Sequence, residues 1–351
     1  MTWMKKVVVG LSGGVDSAVT AYLLQEQGYE VTGVTMRVRQ SGEIQDDEAV
    51  MDAGRIAEHL GIRHMILDYR ERFRDQVIRY FTEEYLQGRT PNPCNMCNRM
   101  IKWDALLTAA NEIQADRVAT GHYAKIRQLP NGRYTVSHAE TDKKDQTYAL
   151  YNLTQEQLRR TMMPLGDYEK EEVRAIAMRA GLPVASKKDS QDICFTEGRD
   201  YAALIAKEAG DRIPVGGDFV DREGRVLGQH EGIIHYTIGQ RRGLGLAMGE
   251  HVYVTAIDPV KRQVHIGSDA DLYTTQFRVR DYNPMGLEQL TEPVRCLGKI
   301  RYAHKGTMCT IYPAEDGMVG CTFEEPVRAI TPGQAAVFYA DGCILGGGLI
   351  Q

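Results

Sequence analysis

A chain of 351 residues, 43% hydrophobic and 25% charged, is long enough for two or three domains and is neither disordered nor fibrous in composition. No apolar run approaches a membrane span, and the short stretch 7–11 runs at once into Gly13, Gly14 and Asp16, so neither a membrane anchor nor a signal peptide is expected. Seven cysteines, two in Cys94-x-x-Cys97 and the rest scattered, are no secreted disulfide framework and point to a reducing cytoplasm; a net charge of −5 argues against general nucleic-acid affinity but allows a local basic face.

Val7-Val8-Val9 reads as a buried strand. It enters the turn Ser12-Gly13-Gly14, after which Asp16 or Ser17 suits the N-cap of a helix over 18–27 that stops at Gly28. Strand, glycine turn and helix start together offer bare backbone N–H groups and a positive helix end to phosphate. The loop is not a Walker loop, since its lysine is absent. Further strands are expected over 31–36, 63–67 and 117–120, with helices over 46–60, 73–86 and 100–113. This alternation predicts a parallel sheet covered on both faces, with ligands at the strands' carboxyl ends, where Met36, Gly121 and His122 fall. Between two helices, Pro91 and Pro93 are expected to hold 88–98 as an extended loop displaying two thiols. A hairpin over 123–138 and helices over 155–161 and 170–180 follow; from about 210 onward, short β-like segments suggest one or two small β domains.

Two stretches carry thiol chemistry. Cys94-x-x-Cys97 suits metal ligation, redox exchange or nucleophilic catalysis. Cys194 follows Lys187 and Lys188, whose charge would favour thiolate. Cys296, Cys309, Cys321 and Cys343 lie in or beside apparent strands and are expected in the core. Basic clusters at 143–144, 159–160, 187–188, 241–242 and 299–305 could form a nucleic-acid face, and those at 143–144, 187–188, 241–242 and 299–305 are expected to line one face.

The string Ser12-Gly13-Gly14-Val15-Asp16-Ser17 resembles the pyrophosphate loop of the PP-loop ATPases. With residues 88–93, Cys97-Asn98, 119–123, 144–148, 188–195 and 235–245, the chain resembles the bacterial tRNA-specific 2-thiouridylases from end to end. The resemblance implies an α/β fold: an adenylating PP-loop parallel-sheet domain over 1–198, a small central β domain over 199–270 and a C-terminal β-barrel over 271–351. It implies ATP-dependent conversion of the wobble uridine of tRNAs, those for lysine, glutamate and glutamine, to 2-thiouridine. Gly10, Leu11, Ser12, Gly13, Gly14, Val15, Asp16 and Ser17 would hold the nucleotide with Mg²⁺, bordered by Met36 and Gly121. Cys194 would carry a persulfide supplied by a sulfur-relay protein or cysteine desulfurase. Cys97 would release the sulfur, leaving a disulfide, and Asp16 counts with them among the catalytic residues. Asn92, Pro93 and Cys94 would contact the target base, while His122, Lys144, Asp145, Gln146, Arg301, Tyr302 and Gln334 would touch tRNA. Many family members carry aspartate where this chain has Cys94. Cys94, Cys97 and Cys194 could therefore hold a [4Fe-4S] cluster instead. Two other classes are an AMP-forming amide ligase, which needs no paired thiols, and a non-catalytic RNA-binding protein, which needs no intact loop 12–17.

Overall fold

The computed structural model describes residues 5–39, 42–141, 144–187, 194–196 and 200–351. Residues 188–193, including Lys188, lie outside the described residues, as does Lys143. Val7, Val8 and Val9 are fully buried. Alternation along their strand sends Val7 and Val9 into one apolar cluster, beneath helices Val15–Glu26, Glu48–Leu60 and Lys170–Arg179, and Val8 into another, beneath Trp103–Glu112. The sheet is parallel, in the order Arg63–Asp68, Glu30–Arg37, Lys6–Gly10, Arg117–Ala119, Thr161–Met162. Strand order reverses between Lys6–Gly10 and Arg117–Ala119, which is where such sheets open a ligand crevice at their carboxyl ends.

Two expectations at the crevice need correction. The first helix begins at Val15 with Gly14 as N-cap, so Asp16 and Ser17 lie inside its first turn. Gly13, at φ +71°, turns the chain early. The Ser17 hydroxyl then braces the loop, donating to the Gly14 carbonyl and accepting from the Ser12 N–H. The second correction concerns the proline loop. Asn92 caps a helix with its side chain, Pro93 takes a first-turn position where its missing N–H costs nothing, and the helix runs on through 112. Its turn Asn98–Lys102 is π-helical. Helix 70–86 likewise contains a π turn, Arg74–Ile78, and Pro93–Cys97 packs against it.

The hairpin Lys125–Gln128/Tyr134–Ser137 leaves the first domain and joins the C-terminal sheet, where Ser137 pairs with Cys343. In that sheet Tyr273–Asn283 pairs with both Val319–Arg328 and Cys343–Ile350, closing a six-stranded barrel. Cys296, Cys309, Cys321 and Cys343 are buried there, as their sequence positions suggest. Between the two domains lies a four-stranded sheet, Tyr253–Asp258, Gln263–Gly267, Gly217–Val220, Val226–His230. Phe81 and Tyr85 of helix 70–86 fill its core, so the α/β domain supplies part of its neighbour's interior. Among the described residues no helix is long and apolar enough to cross a membrane.

Candidate functional site

The glycine loop is held from both sides. The Leu11 N–H donates to the Val34 carbonyl, and Thr35 donates its hydroxyl back to the Leu11 carbonyl. A Cβ on Gly13 would lie 2.6 Å from the Ala49 carbonyl oxygen, and one on Gly121 would lie 2.8 Å from the Asp16 carbonyl carbon. Both glycines are therefore required by close approach. Gly121 brings the end of the fourth strand against the start of the first helix. No side chain caps that helix, so the first-turn N–H groups of Val15, Asp16 and Ser17 face the crevice as an anion site. Gly10 packs on Leu106 below the loop.

Asp16 is more than a loop-end carboxylate. It accepts from Tyr123 Oη at 2.8 Å and from Lys170 Nζ at 2.7 and 2.9 Å, and Lys170 is buried. The carboxylate thus joins the loop, the segment after Gly121 and the helix Lys170–Arg179. With this charge already matched by Lys170, the negative charge of a bound pyrophosphate falls to the helix terminus and to cations arriving with the nucleotide.

The thiols form a second wall at the carboxyl end of the sheet, where Met36 near the end of Glu30–Arg37 borders the same apolar cluster as Cys97. Cys94 lies in the first turn of helix 93–112 and Cys97 at the start of the second; the Cys94 N–H donates to Asn92 Oδ1 at 3.1 Å. Cys94 and Cys194 are exposed and Cys97 is half-buried. Phe195 anchors the segment of Cys194, packing edge-on to Phe73 and Phe81 with centroids at 5.6 and 5.4 Å. Cys97, Phe195 and Met36 border one apolar cluster with Phe73, Val77, Ile78 and Ile101. This puts Met36 at the thiol wall. Burial pushes the Cys97 thiol up to about 12, with Cys194 and Cys94 adding to the rise and Lys102 opposing it. Although Cys194 is exposed as a residue, the segments around its thiol desolvate it and raise it too, again opposed by Lys102. Among the described residues, the lysine that acts on these thiols is therefore Lys102. Lys187 pairs instead with Asp52 at 2.5 Å and Glu48 at 3.1 Å, carboxylates that the helix Glu48–Leu60 presents to it. No sequence signal marks Lys102, because a five-residue spacing puts two side chains on different faces of an ordinary α-helix.

Among the described residues no group of three Cys, His, Asp or Glu side chains is placed to hold a metal ion. The cluster expected from Cys94, Cys97 and Cys194 is thus not assembled by the fold, although all three thiols sit at one wall. His122 joins this wall. It packs on Trp103 with centroids at 5.6 Å, shares a hydrogen bond with Thr120 at 2.9 Å, and is held down to about 3 by burial, with Lys102 contributing.

A cleft of about 430 Å³ opens where the three domains meet, lined by Asn92, Thr237, Arg301, Tyr302, Arg328 and Gln334 among others. It gathers four of the residues singled out for tRNA. Gln334 donates to the Thr90 carbonyl at 3.1 Å and Arg301 to the Arg328 carbonyl at 2.9 Å. Pro93, next to the cleft residue Asn92, is buried. Lys144 and Asp145 both act electrostatically on Tyr302, linking the hairpin side to the cleft. Asp145 itself is occupied, accepting from Thr147 at 2.6 Å and sharing a hydrogen bond with His138 at 3.0 Å; Gln146 accepts from the Tyr123 N–H at 2.9 Å. Both brace the backbone. Arg160 is spent on Asn111 and the Ala115 carbonyl, and Lys187 on its two carboxylates.

Comparison with known proteins matches the chain in three successive parts. Residues 5–198 match a family described as the tRNA methyl transferase HUP domain, 205–268 the tRNA methyl transferase PRC-barrel domain, and 274–350 the aminomethyltransferase beta-barrel domain. The tRNA-specific 2-thiouridylase MnmA of Lachnoclostridium phytofermentans is 50% identical over 99% of each chain, and that of Clostridium acetobutylicum 49% identical over 99% of each. Among solved structures, the U34-tRNA thiolase NcsA from Methanococcus maripaludis with its [4Fe-4S] cluster is 22% identical, covering 59% of this chain and 67% of its own, with a TM-score of 0.36. A likeness that slight carries nothing about the cysteines here. Matched from the glycine loop to the barrel, and about half identical to these relatives along their whole length, the chain belongs to the tRNA-specific 2-thiouridylase family.

Proposed function

We propose that the protein carries out ATP-dependent 2-thiolation of the wobble uridine of tRNA. The observation that supports the chemistry is an uncapped, glycine-lined helix start at the carboxyl end of the parallel sheet, together with three thiols close enough to act on one another. The C2 oxygen of uracil is a poor leaving group. It attacks the α-phosphorus of ATP and pyrophosphate departs, retained against residues 10–17 with Mg²⁺ carried in on the nucleotide. Met36 and Gly121 border the adenosine.

The terminal sulfur of a persulfide on Cys194 then attacks C2, and AMP leaves with the C–O electron pair. The Cys97 thiolate attacks Sγ of Cys194. The S–S bond to the transferred sulfur breaks, and its electron pair stays on the sulfur now bonded to C2. The products are 2-thiouridine, AMP and a Cys97–Cys194 disulfide, which a thiol reductant reopens. Asn92, Pro93 and Cys94 place the base. His122, Lys144, Arg301, Tyr302 and Gln334 hold the RNA, with Asp145 and Gln146 fixing the backbone around them. The substrates are the tRNAs for lysine, glutamate and glutamine, the sulfur comes from a relay protein or cysteine desulfurase, and the reaction takes place in the cytoplasm. The persulfide route is preferred to an iron–sulfur route because the described thiols form no three-ligand metal site.

The test is incubation with ATP, Mg²⁺, a persulfide donor and tRNA, followed by mass spectrometry of the nucleosides. Thiolated uridine that requires ATP is the expected result. Adenylation of an amino-acid or carboxylate substrate, with no tRNA product, would point to an amide ligase.

A further inference from the structure

Lys102 lies five residues after Cys97, a spacing that in an α-helix would turn it about 140° away from the thiol. The turn between them is π-helical: the Trp103 N–H donates to the Asn98 carbonyl, and the wider turn brings residues five apart nearly into line. Lys102, half-buried, is thereby turned toward the helix face that carries Cys97. Its charge reaches Cys97, Cys194 and His122. Among the described residues no carboxylate pairs with it. Asp104, two residues on, is taken by Arg72 and Tyr69. His122 stays neutral at physiological pH, so it supplies no positive charge. Among the described residues Lys102 is thus the cation that acts on this wall, and the titratable groups it acts on are Cys97, Cys194 and neutral His122.

Sulfur transfer needs this charge. The nucleophile is anionic sulfur, yet burial works strongly against the anion at Cys97, and the segments packed around Cys194 desolvate its thiol even though part of that residue is exposed. We infer that Lys102 is the positioning residue of sulfur transfer, its ammonium turned by the π turn to stabilise anionic sulfur first on the Cys194 persulfide and then on Cys97. It moves no proton and forms no bond in either step. The inference rests on the persulfide reading of the reaction and deepens it, because one cation serves both thiols in succession.

The test compares Lys102→Met, Lys102→Gln and Lys102→Arg in the full chain. Iodoacetamide alkylation is followed against pH without substrates, with Cys97 and Cys194 quantified separately by peptide mass spectrometry. The neutral variants are expected to move both alkylation midpoints up by about one pH unit and to slow single-turnover sulfur transfer roughly tenfold, the rate equivalent of one pKa unit. Lys102→Arg, which keeps the charge, is expected to retain midpoints near those of the parent. Wild-type midpoints in a folded Lys102→Met or Lys102→Gln protein would overturn the inference, as would a shift that Lys102→Arg shares. Alkylation without substrates reads Lys102 alone. A parent protein that makes no thiouridine would overturn the proposed reaction while leaving the charge effect on the thiols measurable.

Discussion

The two walls of the crevice are built on different principles. The phosphate wall is local: eight consecutive residues, Gly10 to Ser17, make the strand end, the turn and the helix start, and close packing at Gly13 and Gly121 fixes them. The thiol wall is assembled from afar. Cys94 and Cys97 come from a capped helix, Cys194 from a segment anchored by Phe195, and Lys102 from a π turn. A binding loop can be specified by short-range chemistry. A two-thiol transfer site requires groups whose mutual placement depends on helix pitch and on packing between distant segments.

If the walls divide the labour in this way, each can be disabled separately. The largest effect is expected at the thiols. Cys97→Ser and Cys194→Ser should each reduce thiolation below detection while retaining ATP–pyrophosphate exchange in the presence of tRNA, because a serine hydroxyl neither carries persulfide sulfur nor closes a disulfide. Thiolation by either variant with a physiological persulfide donor would remove that cysteine from the route. Loss of exchange in both would mean that the walls do not act independently.

On the phosphate wall, Asp16→Ala should abolish nucleotide activation and also lower stability, a consequence of its bonds to buried Lys170 and to Tyr123. Leaving the ammonium without its carboxylate should cost about 1–3 kcal/mol after allowance for the partial exposure of Asp16. Urea unfolding of Asp16→Ala, Lys170→Met and the double variant measures the coupling. Strict additivity would show that the pair contributes nothing to stability, leaving only the loop role. The helix start on the thiol wall gives the matching case. Asn92→Ala removes the side-chain cap of Cys94 N–H and should cost about 1 kcal/mol, whereas Asn92→Asp keeps a capping oxygen. If the cap alone sets the thiols, Asn92→Asp retains thiolation. If the amide also contacts the base, Asn92→Asp is stable but slow, so rate and stability separate in that single variant.

How far the molecule is legible in its sequence follows the same division. The parallel sheet is visible because Val7-Val8-Val9 and the glycine stops at Gly28, Gly61 and Gly88 are local signals. Helix 93–112 is visible only from about residue 100; its start is not, because proline weighs against a helix interior while being compatible with its first turn, and only the cap at Asn92 tells the cases apart. The last strand, Cys343–Ile350, is hidden by Gly346, Gly347 and Gly348. Those glycines suggest a turn. In the barrel they admit Tyr282, the Ala336 carbonyl and the Arg280 carbonyl, each within 2.7 Å of where a Cβ would stand. The thiols themselves are visible, but Lys102 is not, since no spacing rule anticipates a π turn.

The smallest expected effect tests whether the thiol wall excludes protons as well as water. His122 is held down to about 3 by burial against an ordinary value near 6.5. Between those values the unfolded chain binds a proton that the folded protein refuses, so stability falls as pH drops below about 6.5 and is unaffected by this group above it. Lowering the pH from 7.5 to 5.5 should therefore cost about 1 kcal/mol through His122 alone. His122→Gln loses packing on Trp103 at every pH, but its stability should fall less than the parent's over that interval, by about the same amount. Urea unfolding of both proteins at the two pH values gives the difference of differences, in which the lost packing cancels. Equal losses would mean that His122 takes up a proton in the folded protein. It would then add a second positive charge to the wall, and Lys102 would not be the sole cation facing the sulfurs.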